Sequence, residues 1–323
     1  MSPNNSVSPL LMMPVLEPGE EWLNVILHFT DDIAAKQELA WESPPIRDRC
    51  ILSDDIWIEE LDSGLAAMIV EACSPTNFQV PVMGQQGHLY AFVRRTTLPG
   101  LFSDFGGMEE LASVVALSRL VQPTTTGVRY AARVSLVNGV AKQILAYQPR
   151  GISPDVFLSK NNRRDWLTEA DAKRIVPLMA LILKRPALPA RVHNAYWHHE
   201  YALRTYYVDH RWVFVSTGLD ALVNTSRYQA GKKFVSKVKR LADGEGVVFT
   251  EDELERAYEL RSGLVHGQQF LSDQSNRLSD AEYALYDKLE ETLRRILIHS
   301  FEDGSFAACF RDPQSVENLL PYP

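Results

Sequence analysis

The sequence predicts an α+β protein, with a mixed α/β domain over residues 19–150 followed by an all-α helical bundle over residues 151–303. Three observations carry that expectation. Short β-branched and aromatic runs with turn residues between them fall before residue 150. Apolar residues spaced three and four apart dominate from residue 168 to residue 300. Between the two lies Pro149-Arg-Gly-Ile-Ser-Pro154, after which the strand signals fade.

The elements follow in chain order. Residues 1–18, rich in Pro, Ser and Asn, read as a flexible lead. Trp22-Leu-Asn-Val-Ile-Leu-His-Phe29 and His88-Leu-Tyr-Ala-Phe-Val93 read as strands, and residues 61–72 and 108–121 have helical spacing. Residues 128–137 and 140–147 read as a hairpin turning at Asn138-Gly139. Gly106-Gly107 reads as a loop hinge before the second helix.

In the second half a helix over 168–184 is expected to kink at Pro177 and to end at Pro186 and Pro189. One long helix over 194–223 comes next, with Tyr201, Thr205, Val208, Trp212, Val215, Leu219 and Leu222 as its apolar stripe. Three more, near 231–242, 250–266 and 279–299, complete a five-helix antiparallel bundle, and residues 304–323 form a tail. Thr250 with Glu253 makes a capping-box pattern at the start of one of these helices, and Gly267 ends it.

Composition narrows the function. No run of 18 apolar residues occurs, and Pro9-Leu-Leu-Met-Met-Pro-Val-Leu16 lacks a basic lead and is broken by Pro14, so neither a membrane span nor a secretory signal is expected. Cys50, Cys73 and Cys309 have no metal-ligand spacing, which fits a cytoplasmic chain without disulfides, zinc or other cofactor. The net charge of −8 argues against indiscriminate coating of nucleic acid. That acidity lies almost wholly before residue 151, whereas no acid occurs from Ala221 to Ala242. Arg227, Lys232, Lys233, Lys237, Lys239 and Arg240 stand in that stretch and form the candidate phosphate-facing surface.

The chemistry-bearing segment is Tyr258-Glu-Leu-Arg261-Ser-Gly-Leu-Val-His266-Gly267. A guanidinium stays charged and can hold phosphate oxygens, while an imidazole titrates near neutrality and can move a proton. With 23 Arg and 8 His, the spacing alone also arises by chance, and Arg294/His299 repeats it inside an ordinary apolar stripe. What sets Arg261 and His266 apart is their place at a helix end. Asp220, beside Leu219 and Leu222, is a carboxylate that needs a charged partner, and Arg261 is the expected one. The adjacent His198 and His199 have no ligand partner four residues on, so no metal is expected there.

Residues 170–300 resemble the HEPN superfamily, and its ApeA-like group in particular. The resemblance rests on Asp209-His-Arg-Trp-Val-Phe-Val-Ser-Thr-Gly-Leu-Asp-Ala-Leu222, on the basic connecting helix around Lys232 to Lys239, and on Arg261-Ser-Gly-Leu-Val-His266-Gly267. It implies a bundle that dimerises so that two Arg/His pairs share one cleft, and a metal-independent endoribonuclease of antiviral or toxin-like defence acting on RNA, tRNA included. On that mapping His266 is the acid/base, Arg261 the phosphate clamp, and Asp220 orients Arg261. Ser262 stands where many active members place Asn, Asp or His, and it can donate a hydrogen bond but is no strong base. The same resemblance allows a non-catalytic module that dimerises and binds RNA or protein. In the endoribonuclease reading the first domain would sense a trigger or choose the RNA. Positions five apart on an ideal helix point about 140° away from each other. Arg261 and His266 therefore meet one phosphate only if Gly263 loosens the last turn or the two come from different subunits.

Overall fold

Strand β1 (Glu20–Phe29) buries both of its faces, which fixes it at the centre of the sheet in this computed structural model. The structure describes residues 19–29, 44–73, 89–96, 107–147, 155–157, 166–183, 188–223, 225, 228–268 and 278–322. The lead over 1–18, His88, Gly106, residues 149–154, Pro186 and Arg227 lie outside them.

Around β1 are β2 (Cys50–Ile51), β3 (Ile56–Glu60), β4 (Leu89–Thr96), β5 (Ala131–Val137) and β6 (Val140–Ala146), in the order β2-β3-β4-β1-β5-β6. Every pairing is antiparallel, with Val25 opposite Val93 on one side and Ala132 on the other. The β5–β6 hairpin turns as expected at Asn138 and Gly139, both at positive φ (51° and 79°), the geometry of a two-residue turn that suits Asn-Gly.

Each face of the sheet has its own cover. Leu23, Val25 and Leu27 of β1 pack with Trp57, Ala91 and Val93 beneath helix α1 (Ser63–Cys73), which contributes Ala66, Ile69, Val70 and Cys73. Ile26, Ile58, Tyr90 and Phe92 point the other way, onto helix α2 (Met108–Val121). A one-residue slip of β1 would exchange these two sets, and each buried Leu, Ile or Phe is worth about 1.5–3 kcal/mol, so the register is strongly specified. Trp166 joins the second face to the helices: its ring stacks on Tyr90 at 4.5 Å and on His28 at 5.4 Å, and its Nε1 donates to the Ile46 carbonyl at 3.1 Å.

The helical region comprises α3 (Glu169–Leu183), α4 (Ala190–Leu203), α5 (Val208–Val223), α6 (Ala230–Gly244), α7 (Glu251–Val265) and α8 (Asp280–Glu302). Helix α3 continues through Pro177. The single helix expected over 194–223 is instead two helices, α4 and α5, so that among the described residues six helices stand where five were expected. The break falls at residues 204–207, where β-branched Thr205 and the aromatic pair Tyr206-Tyr207 favour helix weakly. Arg211 then takes up the freed carbonyls, donating to Thr205 at 2.6 Å, to Tyr206 at 2.9 Å and to Phe157 at 3.3 Å. Of the expected stripe, Trp212, Val215, Leu219 and Leu222 of α5 enter the core with Leu254, Leu260, Leu289, Leu293 and Ile296, whereas Tyr201 is exposed and α4 faces that core through Val192, Ala195, Tyr196 and Ala202 instead. Helices α4 and α5 approach closely at Gly218, where a Cβ would lie 2.8 Å from Leu293 Cδ2 and 3.4 Å from the Ala195 carbonyl oxygen.

Residues 304–322 fold as α9 (Gly304–Ala308) and α10 (Pro313–Leu319), and Phe310, Val316 and Leu320 enter the same core. No helix among the described residues is long and apolar enough to cross a membrane.

Candidate active site

Helix α7 starts and stops where its sequence says it should. Thr250 Oγ1 accepts from Glu253 N at 3.1 Å and Glu253 Oε2 accepts from Thr250 N at 2.9 Å, completing the capping box. At the other end Gln268 N donates to the Gly263 carbonyl at 2.8 Å and Gly267 N to the Leu264 carbonyl at 3.2 Å, with Gly267 at φ 69°. These are the paired bonds of a glycine-terminated helix. His266 is therefore the C-cap, exposed, with its backbone N–H on the Ser262 carbonyl at 3.0 Å. Gly263 is buried inside the helix, which stays regular through Val265.

Arg261 faces the other way. Its Nη2 donates to Asp220 Oδ2 at 3.2 Å, so the expected pairing is present, and both side chains keep 23% of their surface exposed. A pair this open adds about 1 kcal/mol or less to stability. What it fixes is the direction of the guanidinium. The other carboxylate oxygen of Asp220 accepts a hydrogen bond from Thr225 Oγ1, and Arg261 Cζ stands 5.8 Å from the centre of the Tyr258 ring. The Nε of Arg261 is buried without an acceptor. Among the described residues no hydrogen bond joins His266 to Arg261 or Asp220. Ser262, half-buried, borders both residues but contributes only its backbone carbonyl to the bonding just described.

The basic surface expected around α6 requires correction. Lys237 is fully buried, because its position lies on the side of the helix that carries Phe234, Val238 and Leu241 into the core. Its Nζ donates to the Val223 carbonyl at 3.2 Å and to Glu317 Oε1 of α10 at 2.5 Å, which removes it from any ligand. Lys233 and Arg240, four before and three after it, share that side. Lys233 Nζ sits 5.7 Å over the Tyr322 ring and Arg240 Nη1 donates to the Pro321 carbonyl at 2.7 Å, so the chain's own C-terminal segment occupies this side of α6. Exposed Lys232 and half-buried Lys239, seven apart, lie on a second side of the helix.

Comparison of the chain with protein-family models, with curated proteins and with solved structures gives no match.

Several polar groups escaped the sequence reading. Arg119 of α2 and Glu200 of α4, 2% and 3% exposed, form a buried ion pair, with Arg119 also donating to the Thr126 carbonyl. Burial by itself pushes the Glu200 carboxyl up, but Arg119, with Arg204 and His199 adding to it, holds the group below its ordinary range. His199 bonds Glu290 at 2.7 Å, while burial lowers the pKa of its neighbour His198, which stacks near Phe214. In the second Arg/His match, Arg294 donates to the Leu120 carbonyl at 3.1 Å and His299 bonds Glu245 at 2.7 Å, so both are structural ties. Only the polar residues themselves, at core positions of an apolar pattern, signalled these contacts; Thr225 carried no signal.

Proposed function

We propose that the chain is a metal-independent RNA endonuclease of the HEPN type, acting as a homodimer in bacterial anti-phage or toxin-like defence. The observation that carries this reading is the Asp220–Arg261 pair, held at the end of a helix whose cap is an exposed histidine. Because α7 stays regular through Val265, Gly263 does not loosen the turn, and Arg261 and His266 of one chain point apart. A second copy is then what supplies the opposing group to one phosphate.

In this reading a histidine takes the proton of a ribose 2′-hydroxyl as its oxygen attacks the adjacent phosphorus, or protonates the 5′-oxygen as the P–O bond breaks. Arg261 stabilises the charge gathering on the phosphoryl oxygens, and Ser262 can donate a further hydrogen bond. The products are a 2′,3′-cyclic phosphate and a 5′-hydroxyl. Lys232 and Lys239 offer the remaining backbone contacts, and the sheet domain senses the trigger or selects the RNA.

A second reading, a non-catalytic module that dimerises and binds RNA or protein, is favoured by Ser262 in place of a base and by a His266 side chain that makes no hydrogen bond among the described residues. Incubating total RNA in EDTA with wild type, Arg261→Ala and His266→Ala separates the two. Cleavage by wild type alone supports the nuclease; no cleavage by any of the three favours the module.

A further inference from the structure

The geometry points to Thr225 and Tyr258 as positioning residues that fix the Arg261 guanidinium from two sides and leave its Nη1 as the donor offered to a phosphoryl oxygen. This inference rests on the ribonuclease reading and names what would make that site work.

A carboxylate that pairs with arginine through one oxygen is free to turn about its last side-chain torsion, which is broad. Asp220 is not free in this way. Thr225, just past the end of α5, donates its hydroxyl hydrogen to Oδ1, so Oδ2 stays directed at Arg261 Nη2. Tyr258, one turn before Arg261 on α7, supplies the second constraint through its ring face at 5.8 Å. That ring is itself held, by Phe234 at 5.5 Å and by the first turn of α6 at Gly231. A Cβ at Gly231 would lie 2.9 Å from Tyr258 Cε1, so the ring fits only because that position has no side chain.

The donor inventory then decides what Arg261 can present. Its Nε is buried with no acceptor and cannot reach an anion, and Nη2 is committed to Asp220. Nη1 is the nitrogen that makes no hydrogen bond among the described residues. A guanidinium fixed in this way contributes to the transition state through placement, and misplacement of about 1 Å can cost a hundredfold in rate.

The test uses the full chain and four variants. Thr225→Val and Tyr258→Leu are expected to lower kcat for RNA cleavage about tenfold or more with KM nearly unchanged, because the lost quality is orientation. Thr225→Ser and Tyr258→Phe, which keep the hydroxyl and the ring face, restore wild-type kcat. A purely structural role would not show rescue by these particular replacements at unchanged KM. Solvent exchange of the Arg261 Nε–H, followed by NMR and assigned with Arg261→Lys, provides a readout that needs no cleavage. Faster exchange in Thr225→Val and Tyr258→Leu supports the positioning role even if wild type cuts no RNA, in which case only the ribonuclease reading falls. Exchange and kcat both unchanged in those two variants overturns the inference, as does failure of Thr225→Ser to rescue.

Discussion

The charge of Lys237 lies wholly inside the protein, between the Val223 carbonyl and Glu317. A buried ammonium left without its partner is costly, whereas an apolar side chain of similar length in its place is not. Glu317→Ala is therefore expected to lower stability by about 3 kcal/mol, and Lys237→Met to leave it nearly unchanged, as read by urea unfolding. On the proposed ribonuclease reading, the same geometry sorts the basic residues by whether they can reach RNA. Lys232→Ala and Lys239→Ala should each weaken RNA binding and reduce its salt slope by about one, while Lys237→Met leaves both alone. Equal effects of all three would contradict the division of α6 into two sides. At Gly218, close to Leu293 and the Ala195 carbonyl, Gly218→Val forces apart the α4–α5 contact and is expected to cost about 1–3 kcal/mol.

Helix ends show what local sequence can specify. Thr250 with Glu253 and Gly267 mark both ends of α7, and Ser279 with Glu282 makes an equivalent box at the start of α8. Gly267→Ala places a Cβ at φ 69° and should lower stability by about 1 kcal/mol, measured as a fall in thermal midpoint. These ends were legible because each depends on side chains within a few residues. The break between α4 and α5 was not, since it depends on Arg211 reaching back to the carbonyls of Thr205, Tyr206 and the distant Phe157. The three-and-four spacing runs on through Tyr201 and Thr205 by sequence alone, although Tyr201 is exposed and Thr205 lies in the break. Within the candidate site the Asp220–Arg261 pair could be anticipated from an acid at the edge of an apolar stripe. Thr225 and Tyr258 could not, because their contacts follow from how α5, α6 and α7 meet.

Across the whole molecule, the sheet and the helices share a core through α2 and Trp166, and the Arg119–Glu200 pair lies buried between α2 and α4. Glu200 and Glu290 both have folded pKa values below the ordinary 4.5: burial pushes each up, but Arg119 with Arg204 and His199 at Glu200, and His199 with Arg294 at Glu290, together outweigh it. A depressed carboxyl contributes stability that is present above its unfolded pKa and is lost as pH falls through the folded value. The thermal midpoint is thus expected to decline modestly below about pH 6.5, where the unfolded chain protonates His198 more readily than the folded one does, and to drop further below about 4.5, and a midpoint unchanged down to pH 3 would contradict the buried pairs. On the proposed ribonuclease reading, two copies act together, one presenting Arg261 and the other His266 to a single phosphate. The most direct test is the chemistry of the ends left on RNA cut in EDTA. Wild type should yield 2′,3′-cyclic phosphate and 5′-hydroxyl termini, with none from Arg261→Ala or His266→Ala and none from a DNA strand of the same sequence. Termini bearing 5′-phosphate, or cleavage undiminished in His266→Ala, would contradict the account.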